Sequence, residues 1–232
     1  MWSRSDVKSK GKMAFKANYW MCVLVSLILA AVSAAQSASS RGNSDEADLS
    51  SALNSGASAV GMSTSIFTAL VAGIVGLGVV IALLIGIFVK NVLIVGCNKF
   101  FVDNIDSKPP VSTVVCGFKS NYKNIVIAMF LKSLFVGLWS LLFLIPGIIK
   151  AYEYRMVPYL VSTNPDLSWK EAFAQSKEMM TGNKGKAFVL DLSFIGWFIL
   201  GAITCGVVEI FWTLPYYNST CAQLYVTLKE NA

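Results

Sequence analysis

Residues 125–162 read IVIAMFLKSLFVGLWSLLFLIPGIIKAYEYRMVPYLVS. A helix needs roughly 20 apolar residues to cross the hydrocarbon core of a bilayer. Ile125 to Ile145 meets that length with one ionisable side chain, Lys132. After Pro146-Gly147 the chain turns apolar again from Ile148 to Ser162, a run short enough to need neighbours. This is the pattern of a helical hairpin in a membrane, and it predicts an all-α, polytopic helical bundle.

The composition agrees. Of 232 residues, 55% are hydrophobic and 14% charged, and the mean hydropathy is +0.61. A soluble domain carries about 25% charged residues, so disordered and nucleic-acid-binding chains are excluded. There is no histidine, which removes the commonest metal ligand and general base.

Working outward, four further apolar runs complete six predicted spans. They are Tyr19 to Ala35, Ile66 to Val89 with a helical continuation toward Phe101, Ala187 to Ile203, and Val207 to Leu228 after the turn Thr204-Cys205-Gly206. Lys and Arg mark the cytoplasmic side of a membrane protein. Fifteen of the nineteen fall in the N-terminal segment, the second-to-third and fourth-to-fifth connections and the C-terminus, against Arg41 alone on the other side. Both termini are therefore expected in the cytoplasm, with three hairpins closing outside. The expected organisation is a basic cytoplasmic segment 1–18, a six-span domain 19–228 and a tail 229–232. The first span also imitates a cleavable signal, with small residues Val32-Ser33-Ala34-Ala35 after a basic segment. Its apolar stretch is long for one, so it is read as a retained span.

Between the spans, the Ser/Ala/Gly-rich tract 36–65 has too little apolar surface to build a core and is expected to be a flexible external loop. Ser168-Trp169-Lys170-Glu171 has the S-x-x-E form of a capping box, which starts an amphipathic cytoplasmic helix over 168–181. That helix is expected at the headgroup boundary or under the bundle. Five scattered cysteines, Cys22, Cys97, Cys116, Cys205 and Cys221, have no metal-ligand or disulfide spacing. No cofactor and no metal are expected.

Ionisable groups inside a span are costly, which makes them the candidate site. Lys150, Glu153, Arg155 and Glu209 form one expected intramembrane cluster, and Lys132 with Asp191, at similar depth, an expected pair. Lys150 and Glu209 each lie three residues past a turn glycine in two similar hairpins, so a salt bridge between them is expected; Lys150 and Glu153, at i,i+3, can also meet. Pro146, Gly147, Pro158 and Pro215 are the expected helix breaks. Tyr152, Tyr154, Tyr159, Trp212, Tyr216 and Tyr217 gather near them and read as an interfacial aromatic belt.

Several stretches resemble the bacterial integral-membrane family known as domain of unknown function 975. They are Leu144 to Tyr152, Met156-Val157-Pro158-Tyr159, Asn164 to Ser168, Ser176 to Met180, Gly182 to Lys186, Asp191 to Trp197 and Pro215-Tyr216. The likeness is looser over Lys8 to Trp20 and Gly117-Phe118-Lys119, and absent from the tract 36–65. That family is similar in layout to the membrane domains attached to some glycerophosphodiester phosphodiesterases, whose catalytic domain has no counterpart in these residues. The resemblance implies a six-span protein of the bacterial inner membrane with an uncleaved first span, and transfers no activity.

The expectation is accordingly a non-enzymatic accessory or scaffold acting through partner or lipid contacts. Its partners would be anionic headgroups at the basic cytoplasmic face and a second copy or another membrane protein, with no nucleic acid. The alternative is a small transporter or channel using the intramembrane charges. No phosphate loop, nucleophile elbow or recognisable carboxylate pair supports an enzyme.

Overall fold

The computed structural model describes residues 2–38, 55–59, 61, 63–119 and 121–231; these are helical, with no strand among them. Two compact units result, Ala31–Lys90 and Met1–Ala30 with Asn91–Ala232.

In the first unit, Thr64–Ile85 is a 22-residue apolar helix followed by a π-helical turn, Gly86–Lys90. Its described outer side chains, Ile66, Leu70, Ile74 and Leu77, are exposed, as a helix bathed by lipid would be. Most of the expected external loop 36–65 lies outside the described residues.

The second unit begins with α1 (Arg4–Ala17), capped by the Ser3 side chain, which accepts from the Asp6 N–H. The chain then bends by 103° into α2 (Tyr19–Ala38). Such a bend orphans carbonyls at the end of α1, and a buried orphan is costly. Asn104 resolves this. Its Nδ2 donates to the Ala14 carbonyl at 2.9 Å, and its Oδ1 accepts from Asn18 Nδ2 at 3.0 Å. Asn104 follows α3 (Asn91–Asp103), so a residue distant in sequence holds the corner.

A 3₁₀ segment Val111–Val115 and the single turn α4 (Cys116–Lys119) lead to α5 (Tyr122–Leu142). Extended Phe143 (φ −154°) reverses the chain into α6 (Leu144–Glu153). The hairpin is tight because Gly147 lies on Ser140, where a Cβ would come within 2.6 Å of the Ser140 Cα. After a break come α7 (Val157–Thr163), the amphipathic α8 (Trp169–Met180), and α9 (Lys184–Leu192) running on into α10 (Ile195–Ile203). A second turn at Cys205-Gly206, both with positive φ, leads through a π turn, Glu209–Thr213, to α11 (Leu214–Glu230). Here the Gly206 N–H reaches the Gly201 carbonyl and the Cys205 N–H that of Ala202, the paired bonds that close a helix C-terminus.

Helix α11 is the hub. Thr220 receives Gly11 of α1 so closely that a Cβ there would stand 2.8 Å from the Thr220 Cα. Val7 and Phe15 of α1, Phe100 and Phe101 of α3, and Leu224 and Tyr225 of α11 share one core. A second core gathers Val92 and Val95, Ile125 and Met129, Val157 and Val161, and Phe173 of α8. Thus α8 packs its apolar face, Ala172, Phe173, Ser176, Met179 and Met180, into the protein. Its capping box forms as read. The Ser168 hydroxyl and backbone N–H both donate to Glu171, which holds that exposed carboxyl below its usual range.

Tyr122–Leu142 and Lys184–Ile203, with mean hydropathies of 2.2 and 1.7, are long and apolar enough to cross a membrane, and only 22% of each window is buried. The bent pair α1–α2 brings the count to three if it forms one span. The expected fourth and sixth spans are interrupted instead. The fourth breaks at Tyr154–Met156; the sixth contains the π turn and buries Ser219, Thr220 and Gln223 against its neighbours.

Pro146 and Pro158 follow breaks in the chain and lie in the first turns of α6 and α7, where a missing N–H removes no helical bond; Pro215 follows the π turn Glu209–Thr213 inside a stretch that is helical from Val207 onward.

Gly96 of α3 faces the backbone carbonyl of Val114 so closely that no Cβ fits between them. Gly96→Ala is expected to cost about 2–3 kcal/mol, lowering the melting temperature in detergent by roughly 5 °C or more. Gly137→Ala, with nothing within 4 Å of its added Cβ, is expected to leave it unchanged. Equal melting of the two variants would disprove the close crossing.

Candidate functional site

Of the charges named from sequence, Lys150, Glu153, Arg155 and Asp191 meet at or beside the break between α6 and α7. Glu153 closes α6 and Arg155 lies two residues on, so the two side chains leave on opposite sides. Glu153, 4% exposed, is held between two cations: Lys150 Nζ donates to Oε1 at 2.9 Å and Lys184 Nζ to Oε2 at 2.7 Å. Arg155 presents its fork to Asp191, with Nη1 to Oδ2 at 2.6 Å and Nη2 to Oδ1 at 2.8 Å. A bidentate guanidinium–carboxylate pair is the strongest common form of ionic hydrogen bond.

Lys184 and Asp191 are seven residues apart, about two turns along one helix, and meet opposite charges two residues apart on the break. The pairs are complementary in sign, so α9 is held by charge at both ends of its contact.

The network reaches α11. Tyr152 Oη donates to Asp191 Oδ2 at 2.7 Å and Tyr217 Oη to Oδ1 at 3.1 Å. Arg155 Nη2 also reaches Tyr217 Oη (3.3 Å) and Cys221 Sγ (3.2 Å). Asp191 therefore accepts four hydrogen bonds, enough to satisfy a carboxylate removed from water. On the other side, Ser176 of α8 spans the break, donating to the Glu153 carbonyl at 2.8 Å and accepting from the Met156 N–H at 3.2 Å.

Several expectations need correction. Asp191 pairs with Arg155, and Lys132, half-buried on α5, has no hydrogen bond or ion pair among the described residues. Lys132 lies instead within electrostatic range of Arg155. Glu209 likewise forms no ion pair among the described residues, and Lys150 takes the i,i+3 partner Glu153. The two hairpins are not equivalent, because the first reverses at Phe143, three residues before Pro146, and the second at Cys205-Gly206. Lys150 and Glu209 therefore fall at different distances from their turns. Glu209 has a packing role, its Cβ closing on Gly201.

Four of the six aromatic residues read as a belt have partners inside the protein. Tyr152 and Tyr217 bind Asp191, Tyr159 stacks on Tyr225 with ring centroids 5.4 Å apart, and Tyr216 is buried against Phe194.

Sequence reading missed Lys184, which it counted as a loop lysine, and Ser176. The seven-residue spacing of Lys184 and Asp191 was the available signal. Among the described residues no three metal-ligating side chains cluster, and none of the five cysteines is bonded to another. Two clefts, of about 410 and 390 Å³, flank Trp2, and neither is lined by a member of the charge network.

Removing one partner of a buried ion pair leaves an uncompensated charge and costs about 3–5 kcal/mol, whereas apolar replacement of both is often tolerated. The Arg155 and Asp191 side chains are only partly buried, 14% and 24% exposed, so Asp191→Asn is expected to destabilise by less than that, about 2 kcal/mol, in detergent unfolding. Arg155→Met with Asp191→Leu should recover much of the loss, and additive losses in the double variant would overturn the pairing. Glu209→Gln should stay within about 0.5 kcal/mol of the parent.

Comparison with known proteins now adds one finding. Residues 141–232 match the model of a family described as "Protein of unknown function (DUF975)". No curated protein and no solved structure matches the chain.

Proposed function

With residues 141–232 falling in the DUF975 family, we propose that the protein is a non-enzymatic accessory or scaffold of the bacterial inner membrane. It spans the membrane six times with both termini in the cytoplasm, and acts by offering a fixed helical surface to lipid and to a second copy or another membrane protein. The observation that supports this reading is the pairing of the buried charges. A transport path needs water beside polar groups that can exchange partners, whereas Glu153 is held directly by Lys150 and Lys184, and Arg155 directly by Asp191. The exposed apolar faces of Tyr122–Leu142 and Lys184–Ile203 give lipid or a partner helix ample surface.

Lys132 favours the second reading, a small transporter or channel, because it is a cation within electrostatic range of Arg155 with no carboxylate partner among the described residues. Labelling of single cysteines with a membrane-impermeant reagent, on a cysteine-free background, separates the two. Asp45→Cys is expected to label from outside, and Ser120→Cys and Asn183→Cys only after permeabilisation. Lys132→Cys and Glu209→Cys are expected to stay silent. Reaction at 132 from either side would mean that water reaches Arg155, and would replace the scaffold reading with transport.

A further inference from the structure

The cleft of about 390 Å³ is lined by Trp2, Arg4, Gly185, Lys186 and Val189. Its wall is fixed. The Trp2 indole N–H donates to Asn183 Oδ1 at 2.9 Å, and the Lys186 ammonium stands 5.9 Å from the Trp2 ring centroid. Two cations border the cleft and no acid lines it. Neither Arg4 nor Lys186 has a carboxylate within 4 Å among the described residues. Beyond them the surface is apolar, since Phe188, Val189 and Leu192 expose 49%, 44% and 50% of their area along a candidate span. The neighbouring cleft on the other side of Trp2 differs, containing Glu178 and no cation.

A positively charged mouth that opens onto an apolar helix face at the end of a span complements a molecule with an anionic head and a hydrocarbon tail. Indole rings favour the same headgroup level, and Lys or Arg there attract anionic lipid. We infer that this cleft binds one anionic phospholipid, its phosphate between Arg4 and Lys186 and its acyl chain over Val189 against Trp2. A soluble phosphate would leave the apolar wall unused. The inference rests on the reading of Lys184–Ile203 as a span with Lys184 at the cytoplasmic headgroups.

Lipid titration of the full chain in detergent, read by native mass spectrometry, tests it. Phosphatidylglycerol is expected to bind about tenfold or more tightly than phosphatidylcholine of equal chain length. Arg4→Gln with Lys186→Gln should erase that preference. Lys10→Gln with Lys16→Gln, which removes two exposed cations of α1 outside the cleft, should change affinity less than twofold. Equal binding of the two lipids, or an equal loss in the control pair, would overturn the site in favour of diffuse attraction.

A second measurement needs no variant. Phosphatidylglycerol with a photoreactive acyl chain should crosslink the parent protein at Trp2 and within 185–192, and crosslinks elsewhere would sink the proposal. Asn183→Cys labelling separates the two failures. With Asn183 cytoplasmic and no lipid preference, the site falls and the scaffold reading stands; labelling of Asn183 from outside removes the reading itself.

Discussion

Glu153 and Arg155 stand on either side of a broken helix, and Lys184 and Asp191 of α9 meet them with the opposite signs. Each charge is costly to withdraw from water, and the partners offset that cost only in one alignment. Sliding α9 by one residue would rotate its contact face by about 100° and part both pairs together. The contact therefore sets register as well as affinity. Around it the neighbouring elements find their places: Lys150 from α6, Ser176 from α8, and Tyr217 and Cys221 from α11.

The break is what makes this possible. An unbroken helix would carry Glu153 and Arg155 some 200° apart on a regular surface, with its backbone already bonded. Interrupting it frees the Met156 N–H and the Glu153 carbonyl, and Ser176 takes both. The amphipathic helix α8 is thereby tied to the charged centre of the bundle. The N-terminal corner follows the same logic. A bend of 103° strands a carbonyl of α1, and buried Asn104 satisfies it. In both places one polar side chain from a distant element stabilises irregular backbone, which apolar packing alone would leave unsatisfied.

Much of the helical inventory was legible in the sequence. The apolar run from Ile125, the capping box at Ser168 and the turn at Cys205-Gly206 all express local rules, and all appear. Of the prolines expected at helix breaks, Pro146 and Pro158 follow interruptions of the chain, whereas Pro215 follows a π turn in a helix that continues. The pairing of charges was read by counting depth from turn glycines. That count failed because the first hairpin reverses at Phe143, a residue with no turn signature. Lys184 was missed because composition marks a lysine beside Gly and Asn as a loop residue.

What the sequence by itself determined is the class of solvent and the local order. Its long apolar runs, scarce charge and basic segments dictate helices with exposed apolar faces, and its caps and glycines say where several begin and end. Only the tertiary structure decided which carboxylate each cation holds, how many runs stay unbroken and where α8 rests. These depend on distances between side chains far apart along the chain, as in Arg155 with Asp191, 36 positions on, or with Tyr217, 62 positions on. Helical periodicity sets the direction of a side chain about its own axis. It carries no information on which other axis lies opposite.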